Sequence, residues 1–201
     1  MKLYYKAGAC SLSPHIVLRE AGLPVELARV DLTAKTLDDG SDYRAVNPKG
    51  QVPALALDEG GILTEGPVIV QYVADRVPES GLLPPPGSIE RYRVLEWLNF
   101  VGTELHKTAS PLIRPGTPDA VKETVRQTLA VKLAILNQGL DGKPYLTGER
   151  FTVADAYAFV VLRWMPHLGV DMASFANLAA FSERVSARPA VQAALAAEQQ
   201  G

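Results

Sequence analysis

Along residues 1–80 the spacing of apolar positions changes several times, and each change marks an element. Lys2–Tyr5 (K-L-Y-Y) and Val25–Asp31 read as strands, while Leu12 to Ala21 between them has helical spacing and is stopped by Gly22. Such a strand–helix–strand unit predicts a parallel pair with a right-handed crossover. Val52–Leu57 and Gly61–Thr64, joined through D-E-G-G, predict a β-hairpin, and a helix is expected from about Glu65 to Val77. With a short helix ahead of the hairpin, the order predicts an α/β domain on a mixed four-stranded sheet.

The text then changes. Between Pro78 and Ser88, P-E-S-G-L-L-P-P-P-G-S cannot be the interior of any element, which places a linker over 78–87. Everything after it has helical spacing: Ser88–Ile113 (broken by P-L-I-R-P-G-T-P), Pro118–Leu140, Phe151–Leu168, Phe175–Ala187 and Pro189–Ala197. The expectation is an α/β domain over 1–80 and an all-α helical bundle over 88–201. T-V-A-D at Thr152–Asp155 is a helix-start signature, in which Thr152 and Asp155 satisfy each other's backbone N–H groups, with Phe151 and Ala156 as the apolar staple. Its role is structural.

Composition narrows the function class. A formal net charge of -2 gives no electrostatic case for nucleic acid or an anionic membrane, and no apolar run is long enough to span a bilayer. A single cysteine excludes an internal disulfide framework and a multi-cysteine metal site, and no signal-peptide pattern opens the chain. These readings point to a reducing, cytoplasmic compartment. His15, His106 and His167 share no zinc-like spacing, and no nucleotide-binding or hydrolase motif is present.

The lone cysteine is the first candidate for chemistry. Cys10 stands where the first strand gives way to S-P-H-I-V-L-R-E, with Ser13 suited to cap that helix and Pro14 to its first turn. Unpaired N–H groups and the positive end of the helix dipole there favour thiolate, the reactive form. The alternative is a small buried hydrophobe.

Further candidates follow along the chain. In N-P-K-G-Q-V-P-A-L (Asn47–Leu55), Pro53 fits a strand start, and a cis Val52–Pro53 bond would turn the Val52 N–H and C=O outward to pair with an extended peptide. An ordinary trans proline is the alternative. Thr64-Glu65-Gly66 opens a helix whose first N–H groups can receive a carboxylate, with Glu65 able to bind an ammonium or merely complement its own helix. In the second domain Glu96, Asn99, Thr103, His106 and Ser110 form a polar stripe beside an apolar one of Leu95, Leu98, Val101, Leu105, Ala109 and Leu112. The stripe suits either bulk water or a polar cleft in which His106 donates to an anionic sulfur.

Taken together, Cys10, N-P-K-G-Q-V-P-A-L, T-E-G, E-W-L-N, T-E-L-H-K and F-T-V-A-D-A-Y, in this order over essentially the whole chain, resemble the bacterial beta-class glutathione transferases. The resemblance implies a thioredoxin-like N-terminal domain, a homodimer, detoxification in the cytoplasm, glutathione as cosubstrate and no prosthetic group. It implies that Cys10 lies beside the glutathione sulfur and can form a mixed disulfide with it. Val52, before cis-Pro53, would pair with the tripeptide backbone; Glu65 and Gly66 would hold the γ-glutamyl end, and Lys35 the glycyl carboxylate. Asn99, Thr103, Glu104 and His106 would come from the helical domain, some of them from the neighbouring subunit. Many wider-family members have Ser where Gly66 stands, so a backbone N–H does that work here. Tyr5, Leu112, Trp164 and Leu168 are candidates for the apolar pocket of a small hydrophobic electrophile, with Tyr5 and Ser11 possible helpers near the sulfur. The implied reaction is attack of glutathione thiolate on that electrophile. Thiol–disulfide exchange through Cys10 is a second reading, and a non-enzymatic binding module a third.

Overall fold

The computed structural model describes residues 1–200; Gly201 lies outside the described residues. The chain divides into two compact units, Met1–Leu83 with the segment from Ala187 onward, and Pro84–Ser186.

The first unit is built on β1 (Lys2–Tyr5), whose alternation buries Leu3 and Tyr5. β1 pairs in parallel with β2 (Glu26–Asp31) and antiparallel with β4 (Ala54–Ala56), so that Leu3 lies opposite Leu27 on one side and Leu55 on the other. β4 continues into β5 (Ile62–Thr64) as the expected hairpin. The four-stranded expectation is corrected by a fifth strand, β3 (Thr36–Leu37), antiparallel to β2, giving the order β3-β2-β1-β4-β5. Two residues are too few to show a period. The carboxylate of Asp31 makes the intervening turn by accepting from the N–H groups of Thr33 (2.7 Å) and Ala34 (3.0 Å). A short 3-10 turn at Tyr43–Ala45 stands where the short helix was expected.

Helix α1 (Leu12–Glu20) is buried along Leu12–Leu18 and packs against α2 (Gly66–Arg76) and the C-terminal α8 (Pro189–Gln200). This corrects the expectation that the all-helical domain runs to 201. α8 brings its buried Val191 and Ala194 to this contact, and a carboxylate is buried with them. Glu198 on α8 is 4 % exposed and needs donors, which it finds in the Gly8 N–H (3.0 Å) and His15 Nδ1 (3.0 Å). Arg188, just before α8, adds a two-pronged pair with Glu20 at 2.6 and 2.8 Å.

In the second unit, α3 (Ile89–Phe100), a π turn (Val101–His106) and α4 (Lys107–Ile113) form one uninterrupted helical run. The N-cap Ser88 accepts from the Arg91 N–H at 3.2 Å. The run continues through Pro111, where a break was expected, and ends at Ile113. Its buried positions are Val94, Leu98, Val101, Leu105 and Ala109; Val94, rather than Leu95, occupies the core at the start of the stripe, and Leu112 is half-buried. The remaining helices are α5 (Asp119–Gly139), α6 (Val153–Trp164) and α7 (Ala176–Ser186). Among the described residues no helix is long and apolar enough to cross a membrane.

α6 is buried from Val153 to Leu162, and the predicted capping box fixes its start. Asp155 Oδ2 accepts from the Thr152 N–H and hydroxyl (both 2.8 Å), while Oδ1 accepts from the Leu146 N–H (2.8 Å). Asp155→Ala would strand these buried donors together, so unfolding in urea should show a loss of about 2–4 kcal/mol. A loss within error of zero would mean that the box does not hold α6.

Candidate active site

In the first unit the loop from Lys6 to Ser11 carries Cys10 to the start of α1. Ser11 closes it: its hydroxyl accepts from the Lys6 N–H (3.1 Å) and donates to the Lys6 carbonyl (3.2 Å). Ser11 therefore occupies the cap position of α1 without capping it by its side chain. Ser13, expected as the cap, lies within the first turn, buried, with no hydrogen-bond partner for its hydroxyl among the described residues.

The Cys10 thiol donates to the Val52 carbonyl at 3.3 Å. Burial pushes the thiol up to about 11; the backbone N–H groups of Cys10 and Ser11 pull it down by less, and the charge of Glu65 adds to the rise. In the free protein loss of hydration at the sulfur works against the thiolate that the helix N-terminus favours.

Val52 precedes a cis peptide bond to Pro53. The loop before it is held from within. Lys35 Nζ donates to the Gly50 carbonyl (2.8 Å), while Tyr43 Oη (2.8 Å) and Asn47 Nδ2 (2.7 Å) both donate to the Gln51 carbonyl. Asn47 Oδ1 also accepts from the Lys49 N–H (3.1 Å), as asparagine does in turns. Gly50 has φ +59°, a conformation that glycine adopts without strain, so the turn rather than crowding accounts for glycine there. Lys35 was expected to meet a glycyl carboxylate; in this structure its ammonium is occupied by Gly50.

Glu65, between β5 and α2, has a positive φ of 71° with ψ 111°, which for a non-glycine residue stores roughly 1–3 kcal/mol of strain. Its carboxylate pairs with Lys49, whose ammonium also reaches Thr64 Oγ1 at 3.0 Å. A Cβ on Gly66 would lie 3.7 Å from Pro53 Cγ, an ordinary contact, so space alone does not demand glycine there. Cys10 thus meets Val52, Pro53 meets Gly66, Glu65 meets Lys49, and Lys35 meets Gly50. Tyr5 is buried on β1, and burial raises its phenol.

In the second unit the polar stripe bonds mostly to itself and its neighbours. Thr103 Oγ1 donates to the Asn99 carbonyl (3.1 Å), Ser110 Oγ to the His106 carbonyl (3.3 Å), and Arg93 pairs with Glu96 at 2.9 Å. Glu104 is paired with Lys132 of α5, which holds its carboxyl below the usual range. Asn99 is exposed. His106 Nδ1 lies 2.5 Å from Tyr157 Oη, and the Trp164 ring stands edge-on to the imidazole at 4.8 Å. Burial first, then the charge of Lys107, hold His106 below its usual value. Leu112 and Leu168 are half-buried, on α4 and on the 3-10 turn at Pro166–Leu168 that α4 packs against. The Leu168 carbonyl accepts from Arg126 Nε at 3.0 Å.

Sequence reasoning missed Tyr43, Asn47, Lys49, Lys132, Tyr157 and Glu198. Only Asn47 carried a local signal, the turn-forming N-P-K-G. Among the described residues no group of His, Cys, Asp and Glu side chains is suited to hold a metal ion.

Family models described as the glutathione S-transferase N-terminal and C-terminal domains match residues 7–76 and 100–189. The chain is 54% identical over 198 residues to the glutathione S-transferase GstA of Escherichia coli O157:H7, covering 98% of each. A sphingomonad glutathione S-transferase solved in complex with glutathione is 46% identical with a TM-score of 0.96, covering 100% of both chains. A beta-class glutathione S-transferase from Sphingomonas chungbukensis is 45% identical with a TM-score of 0.95, covering 98% of both.

A thiol lifted to about 11 is protonated at neutral pH, and its alkylation should track the small thiolate fraction. Iodoacetamide labelling of Cys10 in the free protein, followed by intact mass, should be slow at neutral pH. It should climb about tenfold per pH unit, without a plateau below about pH 10. A plateau near neutrality would show that the helix N-terminus prevails over burial.

Proposed function

The chain belongs to the glutathione S-transferase family, in its bacterial beta class, and from that premise we propose that it joins the thiolate of glutathione to hydrophobic electrophiles. One observation supports this most. The Cys10 thiol, the Val52 edge, Pro53 and the Glu65–Gly66 helix start adjoin one another in a single unit, as binding of one extended thiol peptide requires.

In this reading the Val52 backbone pairs with the cysteinyl part of glutathione as an added strand would. Glu65 takes the γ-glutamyl ammonium, and the Gly66 N–H at the start of α2 takes the adjoining carboxylate. Lys35 exchanges the Gly50 carbonyl for the glycyl carboxylate. Asn99, Thr103, Glu104 and His106 complete the site, some of them from the second subunit of a homodimer, with His106 donating to the thiolate. Donors fixed where the sulfur charge sits lower the thiol pKa and orient the nucleophile. Tyr5, Leu112, Trp164 and Leu168 border the electrophile pocket. The setting is cytoplasmic detoxification.

Exchange through Cys10 is the second reading, favoured by the presence of the sole thiol at Val52. Its thiolate attacks the glutathionyl sulfur of a glutathione mixed disulfide, the S–S bond breaks, and the other sulfur leaves as a thiolate with the electron pair and takes up a proton. Glutathione then reduces the adduct on Cys10 and departs as the oxidised dimer.

Conjugation of a chlorodinitrobenzene by glutathione tests the first reading, and sedimentation at twice the chain mass tests the homodimer. Glu65→Gln removes the charge that meets the ammonium, so calorimetry should show glutathione binding weakened roughly ten- to hundredfold. Unchanged affinity would remove Glu65 from the site, and no conjugation by the unaltered protein would sink the transferase reading. Cys10→Ala separates the two activities: disulfide exchange should vanish while conjugation persists.

A further inference from the structure

Two histidines in this chain are held by different partners, and the difference fixes where each ring carries its proton. At His15 the assignment is forced. The Arg19 Nε–H, 2.9 Å from Nε2, can only donate, so Nε2 accepts and Nδ1 carries the proton that goes to Glu198. At His106 the group facing Nδ1 is a hydroxyl, Tyr157 Oη at 2.5 Å, on a residue 5 % exposed. A hydroxyl can donate or accept, and between these two groups relative acidity favours one direction. A phenol (pKa about 10) is a far stronger acid than a neutral imidazole N–H, and an imidazole nitrogen, protonated near about 6.5, is a far stronger base than a phenolic oxygen. The favoured bond has Tyr157 Oη–H donating to Nδ1, which leaves the ring's one proton on Nε2.

We propose that Tyr157 is a positioning residue that holds His106 as the neutral Nε2–H tautomer, so that the ring offers a donor at Nε2. Its catalytic consequence rests on the reading of His106 as the thiolate's donor: the opposite tautomer would turn a lone pair toward an anion. Supporting contacts hold both rings in place. The capping box fixes the α6 turn just before Tyr157, and Trp164, at the other end of α6, stands edge-on to the imidazole. His106 closes the π turn, an irregularity that changes how successive side chains step around the helix. No hydrogen bond joins Nε2 to another described residue.

Nuclear magnetic resonance of the protein labelled with heavy nitrogen in histidine tests the assignment directly. His106 is identified by its loss in His106→Asn, and His15 serves as the internal reference for the opposite tautomer. The expected spectrum has His106 protonated at Nε2 and bare at Nδ1. Tyr157→Phe keeps the ring and removes the donor. It should move His106 toward a mixture of tautomers and lower kcat with the chlorodinitrobenzene roughly two- to tenfold, leaving KM for glutathione unchanged. A wild-type His106 protonated at Nδ1 overturns the proposal, as does a Tyr157→Phe protein with both tautomer and kcat unaltered. Should Tyr157→Phe fail to fold, the wild-type spectrum still decides. If the tautomer is as assigned but His106→Ala keeps full turnover, the donor reading fails and the tautomer assignment stands.

Discussion

A carboxylate cannot be buried without donors, and Glu198 is buried at the junction of β1 and α1. The donors it takes, the Gly8 N–H and the His15 ring, lie on either side of Cys10 in sequence. Removing either partner would leave a charge or a dipole in a dry site, which costs several times what a surface ion pair contributes. The loop that presents the thiol is therefore fixed by a side chain almost two hundred residues away. Apolar burial of Val191 and Ala194 holds α8 on α1, and Arg188 with Glu20 is a second tie between them.

Within that fixed loop, the thiol's ionisation is a contest between a dipole and lost hydration. A helix N-terminus contributes typically 0.3–1 kcal/mol toward an anion, about 2 at most. A thiol raised from 9.0 to about 11 corresponds to roughly 3 kcal/mol in the other direction. Desolvation wins in the free protein, and the hydrogen bond to Val52 uses the thiol as a donor, which only the neutral form can be. A bound thiol ligand that brought new donors to this place would alter the balance.

The parts legible in the sequence were those with a local cause. Alternation marked β1, D-E-G-G marked the hairpin, and T-V-A-D marked the start of α6, whereas the segment read as a linker opens with a 3-10 turn at Pro78–Ser80. The residues around Cys10, Val52–Pro53 and Glu65–Gly66 could be singled out because each sits at an element boundary, where backbone groups are free. What escaped was set by partners far along the chain: Glu198 for Gly8, Tyr157 for His106, Lys132 for Glu104. Neither propensity nor period carries that information. β3 escaped for a different reason, since two residues have no period at all, and the π turn because an inserted residue disguises itself as ordinary helical spacing.

The candidate site is also one whose polar groups are already engaged. Lys35 holds the Gly50 carbonyl, Lys49 holds Glu65, and the Cys10 thiol holds the Val52 carbonyl. A peptide ligand would exchange these contacts rather than add to them, so each bond to it gains only the difference between two hydrogen bonds. The compensation lies in the backbone. The Gln51 carbonyl is gripped twice, by Tyr43 and Asn47, on the loop that leads into Val52 and Pro53. A loop held this way loses little further freedom when it binds, and that saving in ordering entropy offsets the modest yield of each exchanged contact. Affinity at such a site comes from how rigidly the edge is held before the ligand arrives more than from the number of bonds drawn to it afterwards.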